Sequence, residues 1–405
     1  MTTVDVTPCS SLDEFVEALA PISHYFGAAS SPDSAERLAQ WLALERVLVA
    51  RVDGSVVGGA GTASFDVSVP GGGTVRCGGV TVVGVLPTHR RRGVLSAMMR
   101  AQLADSRERD DAIACLWASE AAIYRRYGYG IASRNAEMTL DRERTAFAEP
   151  FAPRGEVRLV DSDEAALAFP GLYEQARSER AGMMSRTDAW WRTRRLDDDP
   201  SRRKGGPLTY ALLRLDGDPA GYALYRVSQD WSGGVSTGTV RIIEAVTPTA
   251  EAARELWRWL LDFDWTSQFV APMLPIDHPL FLLLAEPRRM ALRLEDGIMA
   301  RLVDVEAALG ARTFAGNGDV VLDVVDEAAP WNTGRFRIGA DGVERSEADP
   351  DIRLGVAALS SVYLGGFRFA DLARALSLEE LRPGAVARAD ALFAVATEPW
   401  CAEIF

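Results

Sequence analysis

A chain of 405 residues exceeds one ordinary core, so two or three domains are expected. With 48% hydrophobic and 25% charged residues and no low-complexity tract, it reads as globular rather than disordered. A formal charge of -13 argues against nucleic acid as the main partner and is compatible with a cationic substrate. Cys9, Cys77, Cys115 and Cys401 show neither paired spacing nor a Cys/His cluster. No disulfide framework and no metal site are expected, and a reducing cytoplasm is the expected compartment. The N-terminus lacks a basic segment followed by an apolar run, and no apolar stretch reaches ~18 residues, so no membrane role is expected.

Taken in chain order, helical periodicity covers residues 12–19 and 35–44. A strand follows at 47–52, Asp53-Gly54 turns it into a second at 56–65, and Pro70-Gly71-Gly72-Gly73 turns again into a strand ending at 80–85. A helix with Val94, Leu95, Met98, Met99 and Leu103 on one side comes next, then an apolar strand at 113–118 and the segment SEAAIYRRYGYG. The order then recurs: strand 210–215, a turn at 216–219, strand 221–227, strand 240–246, and a helix through Leu256, Trp257, Leu260 and Leu261. The last ~110 residues suggest a small α+β layer, with strands near 298–302, 320–325 and 335–338 and helices near 356–364, 369–376 and after Pro383-Gly384. Trp190-Trp191 with Arg192, Arg194 and Arg195 could suggest base stacking, but the acids at 197–199 make a solvated, partly structural helix end the better reading.

The most telling junction is VTVVGVLPTHRRRG, residues 80–93, running straight into the helix. A helix start offers unpaired N–H groups and the positive end of the macrodipole. Arg90, Arg91 and Arg92 add charge there, and Gly93 lets a ligand approach the backbone, so the loop suits a pyrophosphate. A Walker A loop is excluded because no Lys follows Gly93, and the dinucleotide fingerprint because two of its three glycines are missing. The bland alternative is a basic helix start that touches only solvent.

The Arg-x-x-Gly-x-small form resembles the pyrophosphate loop of the GCN5-related N-acetyltransferases (GNAT). Arg90 and Gly93 match, while Leu95 stands where that broad family usually has Gly or Ala. The loop, the segment ASEAAIYRRYGYG and a chain ending in Phe together resemble the Eis (enhanced intracellular survival) family. The resemblance implies an α/β (α+β) chain: tandem GNAT-like domains with mixed sheets, then a sterol-carrier-protein-like α+β domain. On this sequence the domains would be 1–145, 146–295 and 296–405. The second would lack the coenzyme A loop, because AEAA at 250–253 carries no positive cluster and no Gly.

Amine acetylation needs a neutral amine, a stabilised oxyanion and a proton for the departing thiolate. The resemblance implies acetyl-CoA as donor and no metal. It lays the pantetheine along Val83, Gly84 and Val85, the pyrophosphate on Arg91, Arg92, Gly93, Val94, Leu95 and Ser96, and Ser119 and Glu120 on the far side. Tyr124 matches the general acid; its bland reading is packing with Tyr127 and Tyr129, and Glu120 is a rival on residue chemistry alone. The terminal carboxylate of Phe405 matches the proton acceptor, with a reference pKa of ~3.5 that keeps it ionised. Its bland reading is a tail tucked in to bury Trp400, Ile404 and Phe405. His24, Val82, Trp117 and Glu403 fall at acceptor-contact positions, where His24 and Ile404 stand in place of acids. The acceptor implied is a primary amine of an aminoglycoside-like polyamine. A lysine side chain is the alternative, and a non-catalytic coenzyme A- or lipid-binding protein a third reading. A homohexamer is implied by the resemblance alone.

Overall fold

In the computed structural model, which describes residues 4–200 and 205–405, β1 (Val4–Pro8) leads into α1 (Leu12–Tyr25). The Ser11 side chain starts α1 by accepting from the Glu14 amide, and Asp13 and Glu14 face the positive helix end. Then come α2 (Pro32–Ala39), β2 (Val47–Val52), β3 (Ser55–Ser68), β4 (Thr74–Val85), α3 (Val94–Glu108), β5 (Ile113–Leu116), α4 (Ala121–Tyr124) and β6 (Gly130–Ile131). The middle of the chain holds β7 (Arg134–Asp141), β8 (Glu156–Val160), α5 (Ser162–Ser178), α6 (Asp188–Trp190), β9 (Thr209–Leu215) and β10 (Asp218–Ser228). The hairpin β11 (Trp231–Ser232) and β12 (Val235–Ser236) precedes β13 (Thr239–Val246), α7 (Ala250–Leu260), β14 (Gln268–Leu274), α8 (Leu280–Leu283) and β15 (Arg293–Asp296). The chain ends with β16 (Met299–Leu302), α9 (Val305–Gly310), β17 (Asp319–Val325), β18 (Gly334–Gly339), β19 (Gly342–Arg345), β20 (Ile352–Gly355), α10 (Val356–Val362), α11 (Phe369–Arg374), β21 (Leu378–Glu380) and α12 (Ala385–Leu392).

The first sheet has seven strands in the order β1-β2-β3-β4-β5-β16-β6, and the second has seven in the order β15-β7-β14-β13-β10-β9-β8. Each is antiparallel apart from one parallel pair, β4 with β5 and β13 with β14, and a helix makes the crossover. The third sheet, β19-β18-β17-β20-β21, is the smaller layer. The tandem mixed sheets and the α+β layer agree with the fold class that the sequence implies. Two compact units result: Met1–Ser133 with Ala181–Ser185 and Gly297–Phe405, and Arg134–Arg180 with Arg186–Asp296.

Two strand placements depart from reading order. Residues 299–302, grouped by sequence with the C-terminal layer, form β16 between β5 and β6 of the first sheet. β7 pairs with β14 and β15 in the second sheet. All four β16 residues are buried, and a short, wholly buried strand carries no alternation that would give its address away. β1 and β8 also lie outside the sequence reading.

In the first unit, Val57, Ala60, Val94 and Met98 pack between sheet and α3, and Val80, Met99, Leu103, Leu116, Tyr129 and Met299 form a neighbouring cluster. Each Val, Leu or Met side chain among them contributes about 1.5–3 kcal/mol on full burial. In the C-terminal layer, the buried Arg312 guanidinium donates to the Thr313 and Phe393 carbonyls at 3.2 Å and to the Tyr363 carbonyl. Trp190 and Trp191 are buried in the second unit, so they present no stacking face. Among the described residues, no helix is long and apolar enough to cross a membrane.

Candidate active site

The first sheet opens where β4 and β5 part. Their parallel ladder runs from Cys77–Ile113 to Gly79–Cys115, while β4 continues to Val85. The parting coincides with a bulge: β3 pairs Gly59 with Gly84 and Gly61 with Thr81, so two residues of β4, Val82 and Val83, oppose one of β3. Val82 takes φ 47°, a left-handed conformation that strains a β-branched side chain. Sequence reasoning missed this bulge, because a run of valines carries no glycine or asparagine to mark it. Val83 packs partly buried on both clusters, Gly84 lies against Ile22 of α1, and the Tyr25 hydroxyl donates to the Val85 carbonyl at 2.9 Å.

At the end of β4 the arginine loop delivers the chain into α3. Gly93 is the N-cap with φ 85°, and no side chain caps the first turn. Arg90, Arg91 and Arg92 are exposed, and none forms an ion pair among the described residues. Val94 is buried, Leu95 is partly so, and the Ser96 hydroxyl lies 2.9 Å from the Tyr127 hydroxyl. The Arg126 guanidinium stands 5.0 Å from the Tyr127 ring centre, which brings one more cation to this end. Uncapped N–H groups, a glycine that keeps the approach open and unpaired guanidinium groups fit a pyrophosphate. The matching helix of the second sheet differs: Thr249 caps α7 by accepting from the Ala252 amide at 3.2 Å.

Ser119 and Glu120 are exposed just beyond β5, and Glu120 is the N-cap of the one-turn α4 that carries Tyr124. Tyr124 is partly buried against the cluster that includes Tyr129, with its ring 6.0 Å from that of Tyr129. Burial pushes its phenol above the ordinary value, with Tyr127 and Glu120 adding to the rise. The next turn is braced from the C-terminal segment. The fully buried Arg301 lies against Gly128, pairs with Asp326 at 2.6 Å, and the Ser360 hydroxyl donates to the Gly128 carbonyl at 3.3 Å.

The chain's end returns to the parting strands. Trp400 donates its amide to the Ala181 carbonyl at 3.0 Å, and residues 181–185 extend along β3 through a bridge between Met184 and Val67. Cys401, Ala402 and Glu403 are buried, whereas Ile404 is 53% exposed. The Phe405 ring lies 5.2 Å from the Phe65 ring and beside Gly79, the last β4 residue paired with β5. The Trp117 indole N–H, just past β5, donates to the Glu403 carbonyl. Phe405, Trp117 and Glu403 are thus brought together. His24 is exposed at the end of α1, edge-on to Tyr25 at 5.7 Å. The seat for the tail at Gly79 and the segment 181–185 beside β3 were not foreseen.

Residues 10–132 and 182–302 each match an acetyltransferase (GNAT) domain family, and residues 305–402 match a sterol carrier protein domain. The chain is 41% identical to an uncharacterized N-acetyltransferase of Streptomyces avermitilis over 353 residues, 85% of each chain. It is 34% identical to N-acetyltransferase Eis of Mycobacterium bovis over 417 residues, 96% of this chain and 97% of that one. The chain belongs to the Eis family of N-acetyltransferases. In three dimensions this Eis-family chain is similar to crystalline Eis1 from Mycobacterium abscessus: TM-score 0.86, 36% identity, and 99% and 100% of the two chains covered. As an Eis-family member it is an acetyltransferase, and its GNAT fold implies acetyl-CoA as the donor.

Proposed function

We propose that this enzyme acetylates primary amines of aminoglycoside-like polyamines, with Tyr124 as general acid and the Phe405 carboxylate as general base. The observation that carries the reading is the return of the chain's end to Gly79, where β4 and β5 part. Acetyl-CoA supplies an activated acetyl thioester. Val83, Gly84 and Val85 would align its pantetheine along the free edge of β4, Arg91 to Ser96 would hold its pyrophosphate, and Ser119 and Glu120 would flank it. The Phe405 carboxylate takes a proton from the incoming ammonium, and the freed amine adds to the thioester carbonyl. As the tetrahedral adduct collapses the C–S bond breaks, the Tyr124 phenol protonates the leaving sulfur, and its phenolate recovers the remaining excess proton of the nitrogen through solvent. The Tyr124 phenol is in its acid form at neutral pH, as the role requires, and the burial that raises its pKa makes it a weaker donor, so the role rests on its position and not on the shift. The Thr249 cap on α7 supports a second domain that holds no donor.

One observation favours an acceptor with fewer positive charges. Ile404 stands just before the terminal Phe where an acid would be, the Glu403 side chain is 0% exposed, and His24 is exposed where a further acid would stand. A lysine side chain is therefore the second reading, and a panel of aminoglycosides, polyamines and lysine peptides with thiol release as readout separates the two. Family resemblance adds a homohexamer, and the four free, buried thiols suit a reducing cytoplasm. Tyr124→Phe and deletion of Phe405 are each expected to lower kcat by roughly a hundredfold while coenzyme A affinity by calorimetry persists. Unchanged turnover in either variant removes the role assigned to that residue.

A further inference from the structure

We propose that Trp117 is the positioning residue for the terminal carboxylate, with its indole N–H tethering the last peptide units of the chain to the edge of β5. The proposal rests on the reading of Phe405 as proton acceptor. A carboxylate at a chain end has no backbone beyond it, and termini fray unless something holds them. Here the tail is held upstream by the amide of Trp400 on Ala181, and nearer its end by the Trp117 N–H on the Glu403 carbonyl. That carbonyl belongs to the peptide joining Glu403 to Ile404, so the bond fixes a plane one residue short of Phe405. Ile404, 53% exposed, gives the tail little apolar anchorage at this point. The Phe405 ring then drops beside Phe65 into a seat that Gly79 leaves open: a Cβ there would lie 3.2 Å from that ring and 2.4 Å from Phe65. An indole only donates, and this one is committed to the tail, so Trp117 neither moves a proton nor receives the acceptor amine by hydrogen bond.

The test compares wild type, Trp117→Phe, Gly79→Ala and the chain lacking Phe405, with the thermal midpoint and coenzyme A affinity measured for each and expected to be unchanged in Trp117→Phe. Trp117→Phe keeps the aromatic bulk and removes only the donor. Its kcat is expected to fall at least ~tenfold with KM for acetyl-CoA unchanged, and added formate should restore part of it, as in the chain lacking Phe405. Carboxypeptidase A, which removes C-terminal aromatic residues, should release Phe405 faster from Trp117→Phe and Gly79→Ala than from wild type, a readout independent of turnover. Wild-type kcat and release rate in Trp117→Phe, with slow turnover in the chain lacking Phe405, overturn the tether alone. Full turnover without Phe405 overturns the reading beneath it.

Discussion

Gly93 and Val82 both sit at positive φ beside the same crevice, yet only one of them could be read from the sequence. Glycine is the residue a helix-entry loop uses when it must turn left-handed, so its place after three arginines marks the anion end. Nothing within 4 Å would meet a Cβ at Gly93, so Gly93→Ala acts through backbone strain alone, about 1–2 kcal/mol. The expected outcome is a rise of roughly tenfold in KM for acetyl-CoA with little change in kcat, since that strain loosens the loop rather than the chemistry. Steady-state kinetics with the donor varied checks this. Val82 is the opposite case: a β-branched residue normally avoids this conformation, so the bulge is set by β3, β4 and α1 around it, and no local signal announces it.

The two crossover helices show what the sequence reveals about whole elements. Both follow a strand, a proline and a turn, and that pattern is visible at 85–88 and again at 246–249. Their first turns differ as their residues suggest: α3 begins on a glycine without a cap, and α7 on a threonine that occupies its own amide. Thr249→Ala should therefore cost about 1 kcal/mol of stability and leave coenzyme A affinity untouched. Denaturant titration together with calorimetry tests it, and a fall in affinity would count against a spent helix end. Strand pairing was less legible. Periodicity tells which residues are buried but not against which neighbour, so β16 could be expected as a strand without its sheet being known, and β7 lay outside the sequence reading altogether.

Across the second unit, charge is buried in ways that bear on acid stability. His278 is enclosed, with its ring 5.0 Å from Trp257 and its Nδ1 accepting from the Leu280 amide at 3.1 Å. Burial, with Arg180 nearby, lowers its pKa to about 3. The unfolded chain takes up a proton near pH 6.5 that the folded unit refuses, so this stability is complete above that pH and declines as pH falls toward 3. Glu244, held between Arg186 and Arg195, is lowered to about 2 against the cost of burial, and its contribution is likewise lost on acidification, below about 4.5. Between pH 7 and 5 the loss from His278 should approach about 2 kcal/mol. Thermal melts across that range should show a falling midpoint, and His278→Asn, which keeps an acceptor for Leu280, should flatten the slope.

The placement of β16 also governs how this protein can be made. Ile113–Leu116, apolar throughout, has its outer partner encoded only after the entire second repeat. At ~5–20 residues per second, a ribosome leaves that strand uncovered for roughly ten to forty seconds. Nascent chains, and any fragment cut short of Met299, therefore display a bare sheet margin of the kind that chaperones shield and that seeds aggregation.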